Sequence, residues 1–446
     1  MAKSAEYQVI VCGGGPAGCA AAISAGRGGC RTLLVEETGM LGGVGGPGGV
    51  SHWLGGRSRD CSTFVVGGIF ESLVREAAAE GIAILPEVEE FSPFGWGSGP
   101  HHLTAGVPFD HWRMAEFLDR KVLEAGVDIC FFTRFIGAEC HDGRITGITL
   151  HNKSGLTHWQ PRLVIDATGD ADVAAAAGCD CSFGTPEGLT APASLEFRVS
   201  GVDTGAMRNY IREHQAGRFL VEIGKLRSAG QWPFPYDRFI SVRMVDRDML
   251  LVNTVRLVGV NGTDGKSLSD AMIRGRREIM ALFEIMKKYF PGFKNSRIAD
   301  IATIPGIRES RRISSGDTLT VEDILRHRQF EDIIGYCCYG WDLPDPERPS
   351  LQHFHGRVAA PEYFPLPFHI MKPHSVTNLL CPGRAVDAER EVLGAIRVMA
   401  SCMAMGEAAG TAATLTEDFT QLPIEKLKQR LTAAGCRLAP PEVLPQ

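Results

Sequence analysis

The chain has 446 residues, 44% of them hydrophobic and 22% charged, the balance of a folded globular protein rather than a disordered one. Its net charge of −6 supplies no broad field for nucleic acid or an anionic bilayer, so any basic function is local. Thirteen cysteines are scattered singly, with only Cys179/Cys181 and the vicinal Cys337-Cys338 close together and no repeated CxxC pairs. That pattern excludes a disulfide framework or cysteine metal site and predicts reduced thiols in the cytoplasm.

The first elements lie in "YQVIVCGGGPAGCAAAISAGRGGCRTLLVEE": a strand over Tyr7–Cys12, a glycine turn, a helix from about Pro16 to Ala25, and a strand over Arg31–Glu36. A signal peptide is excluded, because Glu6 precedes the apolar run and Gly13–Pro16 interrupt it. No stretch reaches the ~18 uninterrupted apolar residues of a membrane span. Gly13-x-Gly15-x-x-Gly18 falls between strand and helix, where three glycines permit a tight turn, backbone approach to a pyrophosphate, and close helix–strand packing. Unpaired N–H groups at the helix start then face the phosphates. Glu36 ends the second strand, where an acid accepts from ribose hydroxyls and disfavours a 2′-phosphate.

Three later stretches select FAD over NAD. "EETGMLGGVGGPGGVSHWLGG" (36–56) is a glycine-dense loop that can lie along a long planar ligand and donate backbone N–H groups to it. "RLVIDATGDADVAAAAG" (162–178) reads as a buried strand over Leu163–Ala167, a turn and a short helix. "NLLCPGRAVDAEREVLGAIRVMASCMAMGEAAGTAATL" runs a strand over Leu379–Cys381 through Pro382-Gly383-Arg384 into a small-residue helix from about Ile396.

With "DATGDxD" in mid-chain and "GR(x)14MxxCMAxGxAAGxAA" near the end, the sequence resembles the FAD-dependent oxidoreductases, in the bacterial branch whose flavin domain is built like those of glutathione reductase and fumarate reductase. "GIFESLVREAAAEG", "IPGIRESRRISSGDTLTVEDIL" and "LPIEKLKQRLTAAG" extend the resemblance over nearly the whole chain. It implies an α/β fold: a Rossmann-like FAD-binding domain with a parallel sheet, from residues 1–178 and 366–420, an α+β substrate domain with an antiparallel sheet over 179–365, and a C-terminal helix and tail over 421–446.

By the same resemblance Gly13, Gly15, Pro16, Ala17 and Gly18 hold the diphosphate, and Glu36, with Glu37 beside it, serves the adenosine ribose. Gly42 and Gly43 run toward the ribityl chain, and the strand "DICFFTRFIGAEC" brings Phe135 to adenine. Ala167 and Gly169 line the cofactor; Gly383 and Arg384 cross the diphosphate, with arginine where many relatives carry aspartate. The tip of the late helix, Arg397–Ser401 with Val398 and Met399, points at the pyrimidine edge of the flavin, where helix dipole and Arg397 favour the reduced anion.

The middle of the chain has a different texture. "ASLEFRVSGVD" and "FISVRMVDRDMLLVNTVRLVGV" read as antiparallel strands, followed by a helix over Ser269–Tyr289. Arg308, Arg311 and Arg312, with Arg384, Arg390 and Arg397, suggest a cleft for a negatively charged substrate. One departure from the family matters: relatives carry serine and histidine where this chain has Asp387 and Arg390, and arginine does not readily accept a proton. His52 and His369 are candidates for the displaced acid–base role, beside Arg308, Arg312, Arg390 and Arg397 as catalytic candidates; Tyr336, Cys337 and Cys338 form a candidate pocket wall.

The expectation is an FAD-dependent oxidoreductase passing a hydride between a small polar substrate, anionic by the arginine argument, and flavin N5. A fumarate-reductase-like enoate reductase, or a flavin fold used to bind RNA or a protein partner, are the alternatives. "KLKQR" at 426–430 reads as one face of a helix rather than a nucleic-acid stripe. The absence of a second GxGxxG turn argues against a dedicated NAD(P)H domain, so the electron acceptor or donor stays open, as does self-association into a homo-oligomer.

Overall fold

The computed structural model describes residues 7–58, 61–85, 106–214, 218–246, 248–350 and 358–440. Glu6 and the last six residues of the expected tail lie outside them.

A parallel sheet of five strands has the order Leu379–Leu380, Leu163–Asp166, Val9–Cys12, Thr32–Val35 and Asp128–Cys130. Val9 sits between Thr32 and Leu163, and Cys12 between Val35 and Asp166, so the central strand ends level with both neighbours. All four residues of that strand are buried, as the continuous apolar run of an inner parallel strand requires.

The helix Pro16–Arg27 packs on this sheet and against the helix Met399–Ala413. Both are rich in small residues, and the contact is nearly backbone to backbone. A Cβ on Gly406 would lie 2.1 Å from the Ala17 carbonyl oxygen, and one on Gly410 would lie 2.2 Å from that of Ala21. Ser24 and Thr411 close the contact with a 2.8 Å hydroxyl hydrogen bond. Every residue of Met399–Ala413 is buried, the signature of a core helix. No single helix among the described residues is long and apolar enough to cross a membrane.

Two expected elements differ. The strand read through "DICFFTRFIGAEC" is broken: Asp128–Cys130 belongs to the parallel sheet, whereas Arg134–His141 opens an antiparallel meander with Arg144–Asn152 and Gly155–Trp159. Phe132 causes the break with a left-handed φ of 51°, which lays its exposed ring on Gly39. The helix expected from about Ile396 begins at Met399, and a helix that was not expected, Arg390–Ile396, precedes it at an angle of 91°. No proline or glycine sits at the bend; Val398 adopts an extended conformation, ψ 150°, and becomes the cap of the second helix.

The second lobe has its own apolar core, from Ala193 to Ala302. Its four-stranded antiparallel sheet runs Ser241–Arg243, Leu250–Val252, Phe197–Ser200, Arg297–Ile301, covered by the helix Gly265–Tyr289. Asp264 caps that helix by accepting from the Ser267 N–H at 2.6 Å, which starts it four residues before the expected Ser269. Leu319, Ile324, Ile334 and Cys337 pack in the first core rather than the second.

Candidate functional site

The site is built where the first strand ends. Gly13 turns with φ 104°, and a Cβ there would lie 2.3 Å from the Ala167 carbonyl oxygen. One on Gly18 would lie 1.8 Å from the carbonyl of Gly13. Both positions are closed to any side chain. Gly15 differs: the nearest atom its Cβ would meet is the Gly43 Cα, 3.9 Å away, so the turn is open on its outer face. Gly15 caps the helix without a side-chain hydrogen bond, Pro16 and Ala17 follow, and the first N–H groups stay available to an anion.

Glu36 is buried. Its Oε2 accepts from the Gly14 N–H at 2.7 Å, and its Oε1 accepts from the Thr38 N–H at 2.8 Å and hydroxyl at 2.7 Å. Burial raises its pKa against those bonds. Each oxygen retains acceptor capacity for a ribose hydroxyl. Glu37 points outward and pairs with Arg134 at 2.9 Å. Phe135 packs, half-buried, against the cluster of Ile10, Cys12 and Val35.

The glycine loop returns to this turn: the Gly42 N–H donates to the Gly14 carbonyl at 2.8 Å, and a Cβ on Gly43 would lie 2.8 Å from the Gly15 Cα. Farther on, Gly45 abuts Met399 and Gly55 abuts Val398 and Tyr339. The loop therefore connects the turn to the tip of the second C-terminal helix, whose first turn has no side-chain cap. On the opposite side Gly383 (φ 106°) approaches Ala17, and the Arg384 guanidinium crosses Gly169, pairing with Asp170 at 2.7 Å while its Nε has no hydrogen-bond partner among the described residues. Beneath Ala167, Asp166 accepts from the Thr168 hydroxyl and the Ala174 N–H; burial lifts its pKa to about 6.

The other sequence candidates separate into groups. Arg390 forms a buried two-bond pair with Glu309, Nε to Oε2 at 2.9 Å, and Arg312 approaches the same carboxylate at 3.7 Å. Asp387 accepts from the Ser315 N–H and hydroxyl. His369 lies with Asp332, 2.9 Å from Nδ1, and Asp317, 3.7 Å from Nε2, in an outer recess lined also by Phe330 and Lys426. His52, on the strand His52–Trp53, is buried against Gly106, and burial lowers its pKa to about 4, so it is neutral at pH 7. Cys337 and Cys338 donate to different carbonyls, of Ala395 and Arg57, and all thirteen cysteines are free thiols.

Arg308 and Arg397 instead meet at the junction of the two lobes, with residues the sequence reading did not single out. Arg397 donates to the Asp342 carbonyl at 2.7 Å and carboxylate at 3.2 Å. Arg308 donates to the Pro192 carbonyl. Burial, with Arg256 and Arg397 nearby, pushes the Arg308 guanidinium well below its ordinary pKa. Buried Glu196 faces Arg308 and Arg256; Ser194 donates to its Oε1 at 3.3 Å, and its Oε2 has no partner among the described residues. Arg198, two residues on, ties the glycine loop to this lobe by donating at 2.9 Å to both the Gly49 carbonyl and the Ser51 hydroxyl, and pairs with Asp300. The available signal was the charged pair at i, i+2 in "LEFRV", which puts both side chains on one strand face.

The family model for FAD dependent oxidoreductases matches residues 8–431, and the chain belongs to that family. It is an enzyme, and its cofactor is FAD. Among curated proteins it is similar to digeranylgeranylglycerophospholipid reductase 2 of Methanopyrus kandleri, 24% identical over 239 residues, 52% of this chain; the match spans about half, 52%, of that protein's length. Among solved structures it is similar to a geranylgeranyl bacteriochlorophyll reductase-like protein of Thermoplasma acidophilum (13% identity, TM-score 0.44, 97% of this chain and 84% of that one). It is also similar to the flavin-dependent brominase Bmp2 (12% identity, TM-score 0.47, 96% and 83%). The opening in front of Gly15, the uncapped helix start and the acceptor capacity of Glu36 fit an adenine dinucleotide.

Proposed function

We propose that the enzyme moves a hydride between a small polar organic anion and N5 of FAD. One observation carries the reading: the guanidinium groups of Arg256, Arg308 and Arg397 gather beside the uncapped helix tip, with Glu196 and Asp342 as the acids among them. A guanidinium keeps its proton at neutral pH even where burial and neighbouring cations lower its pKa, so three cations facing two carboxylates leave a positive, largely enclosed site, suited to a carboxylate or similar group. FAD, when bound, supplies the two-electron chemistry, and the protein supplies orientation and charge.

In this reading Gly13, Gly15, Pro16, Ala17, Gly18, Gly383 and Arg384 hold the diphosphate and Glu36 the ribose. Gly42 and Gly43 carry the loop along the ribityl chain, and Val398 and Met399 present the helix tip to the flavin. Arg308, Arg256 and Arg397 orient the substrate. Arg390 and Arg312 support the junction through Glu309.

The test is anaerobic titration of the FAD-loaded enzyme with a panel of small carboxylates, alcohols, amines and enoates, in both directions. One class should bleach the oxidised flavin or reoxidise dithionite-reduced flavin. A panel that does neither removes the substrate class.

A further inference from the structure

We propose that Glu196 is the proton-holding residue of this site: a carboxylate docks on Arg308 and Arg256, and Glu196 takes up one proton from solvent as it does so. This rests on the substrate reading above and adds the group that Arg390, in place of the family's histidine, cannot be.

The geometry sets the role. Glu196 follows the short strand Ala193–Ser194, which pairs with Arg256–Leu257 so that Ser194 lies opposite Arg256, and the acid stands two residues on from that pairing. Its backbone carbonyl accepts from the Ala302 N–H at 2.9 Å, and its Cβ lies 3.2 Å from where a Cβ on Gly49 would stand. Glu196 is therefore fixed between the second lobe and the glycine loop. The Ser194 hydroxyl satisfies one carboxyl oxygen; the other, buried and unpartnered, is the acceptor left for a proton. An unpaired buried acceptor is unfavourable, and protonation turns it into a donor for a bound anion.

The surrounding charges agree. Arg308, Arg256 and Arg198 favour the ionised acid, yet burial outweighs them and holds Glu196 at about 7. Arg198 is itself neutralised by Asp300, with Asp110 nearby. His111, 4.0 Å from Asp300, is held neutral by burial and Arg198, its pKa lowered to about 3. Asp342 is engaged by Arg397, and the loop residue against the Glu196 Cβ is uncharged Gly49. An incoming carboxylate adds a negative charge beside Glu196 and raises its proton affinity further. Arg390 brings no competing charge to Glu196, because it is committed to Glu309.

The experiment is calorimetric titration of the FAD-loaded enzyme with malonate, and with malonamide as a neutral analogue, in buffers of different ionisation enthalpy at pH 6 and pH 8. After allowance for malonate's own second ionisation, which is incomplete near pH 6, malonate should bind with uptake of nearly one proton at pH 8 and almost none at pH 6, its Kd rising about fivefold or more between them. Malonamide should bind far more weakly at both. Glu196→Gln should abolish the proton uptake while keeping malonate binding, and Arg308→Lys should weaken malonate about tenfold or more. Flavin content and melting temperature report whether each variant folds, and the wild-type measurement needs no variant. Equal binding of malonamide, no malonate binding, proton uptake absent in the wild type, or uptake persisting in Glu196→Gln each overturns the proposal. Bleaching by a neutral substrate would overturn the substrate reading instead, because this titration needs no turnover.

Discussion

The nucleotide turn and the lobe junction solve the same problem, placing charge beside a ligand, by opposite means. At Gly13–Gly18 the protein removes side chains: the Cβ positions of Gly13 and Gly18 are blocked by backbone, and the ligand is offered main-chain N–H groups. At the junction it adds side chains from residues far apart in the sequence, burying Glu196 and Arg308 and half-burying Arg256, Asp342 and Arg397. The first arrangement tolerates no added atom. The second tolerates no lost partner.

The largest effect is expected where a partner is lost. Arg390→Ala leaves the fully buried Glu309 carboxylate with the Ala191 N–H and the more distant Arg312, and breaking a buried pair in this way costs about 3–5 kcal/mol in urea denaturation. A change below about 1 kcal/mol would mean that Arg390 faces substrate rather than holding the junction. Next comes an added atom: Gly18→Ala drives a Cβ against the Gly13 carbonyl and should cost about 1–3 kcal/mol, with FAD affinity falling at least about tenfold, read from the ratio of flavin to protein absorbance.

A comparable, pH-dependent effect sits outside both regions and calibrates burial itself. Glu407 accepts from the Ile69 N–H at 2.8 Å, and burial lifts its pKa to about 7. The folded state keeps this proton up to that pH, whereas an unfolded glutamate releases it near about 4.3. Its contribution to stability is therefore full at low pH and declines as pH rises from about 4.3 to about 7, by up to ~1.4 kcal/mol per pH unit. Glu407→Gln should remove that share, so the variant gains on the wild type between about pH 5 and pH 7; parallel denaturation curves would refute it. The smallest effect belongs to the helix tip: Arg397→Met should lower the flavin midpoint potential by roughly 20 mV, about 1 kcal/mol for a two-electron couple.

The contrast also explains what could be read in advance. The turn is legible because its demands fall on consecutive residues: strand, glycines at fixed spacing, Pro16, then Glu36 at the next strand end. The junction is not, because its demands fall across distance. Glu196 and Arg198 alternate with Leu195, Phe197 and Val199, a pattern that normally sends the charged face to water, whereas here the glycine loop and the first lobe cover it. Nothing local to Arg390 announces Glu309, 81 residues earlier. The helix bend at Arg397-Val398 escaped for a similar reason: the run 390–413 is apolar and small almost throughout, and what holds Arg397 at the junction is Asp342. Phe132 shows the same limit on a smaller scale, since its left-handed conformation interrupts a stretch whose alternation reads as one strand.

The contact of Pro16–Arg27 with Met399–Ala413 has a consequence for how the protein is made. The helix Pro16–Arg27 finds its main neighbour only far along the polypeptide, with 387 positions between Ser24 and Thr411, and the edge strand Leu379–Leu380 is almost as distant. Until that segment is made, the alanine face around Ala20–Ala22 lacks this cover, the kind of transiently exposed apolar surface that favours aggregation.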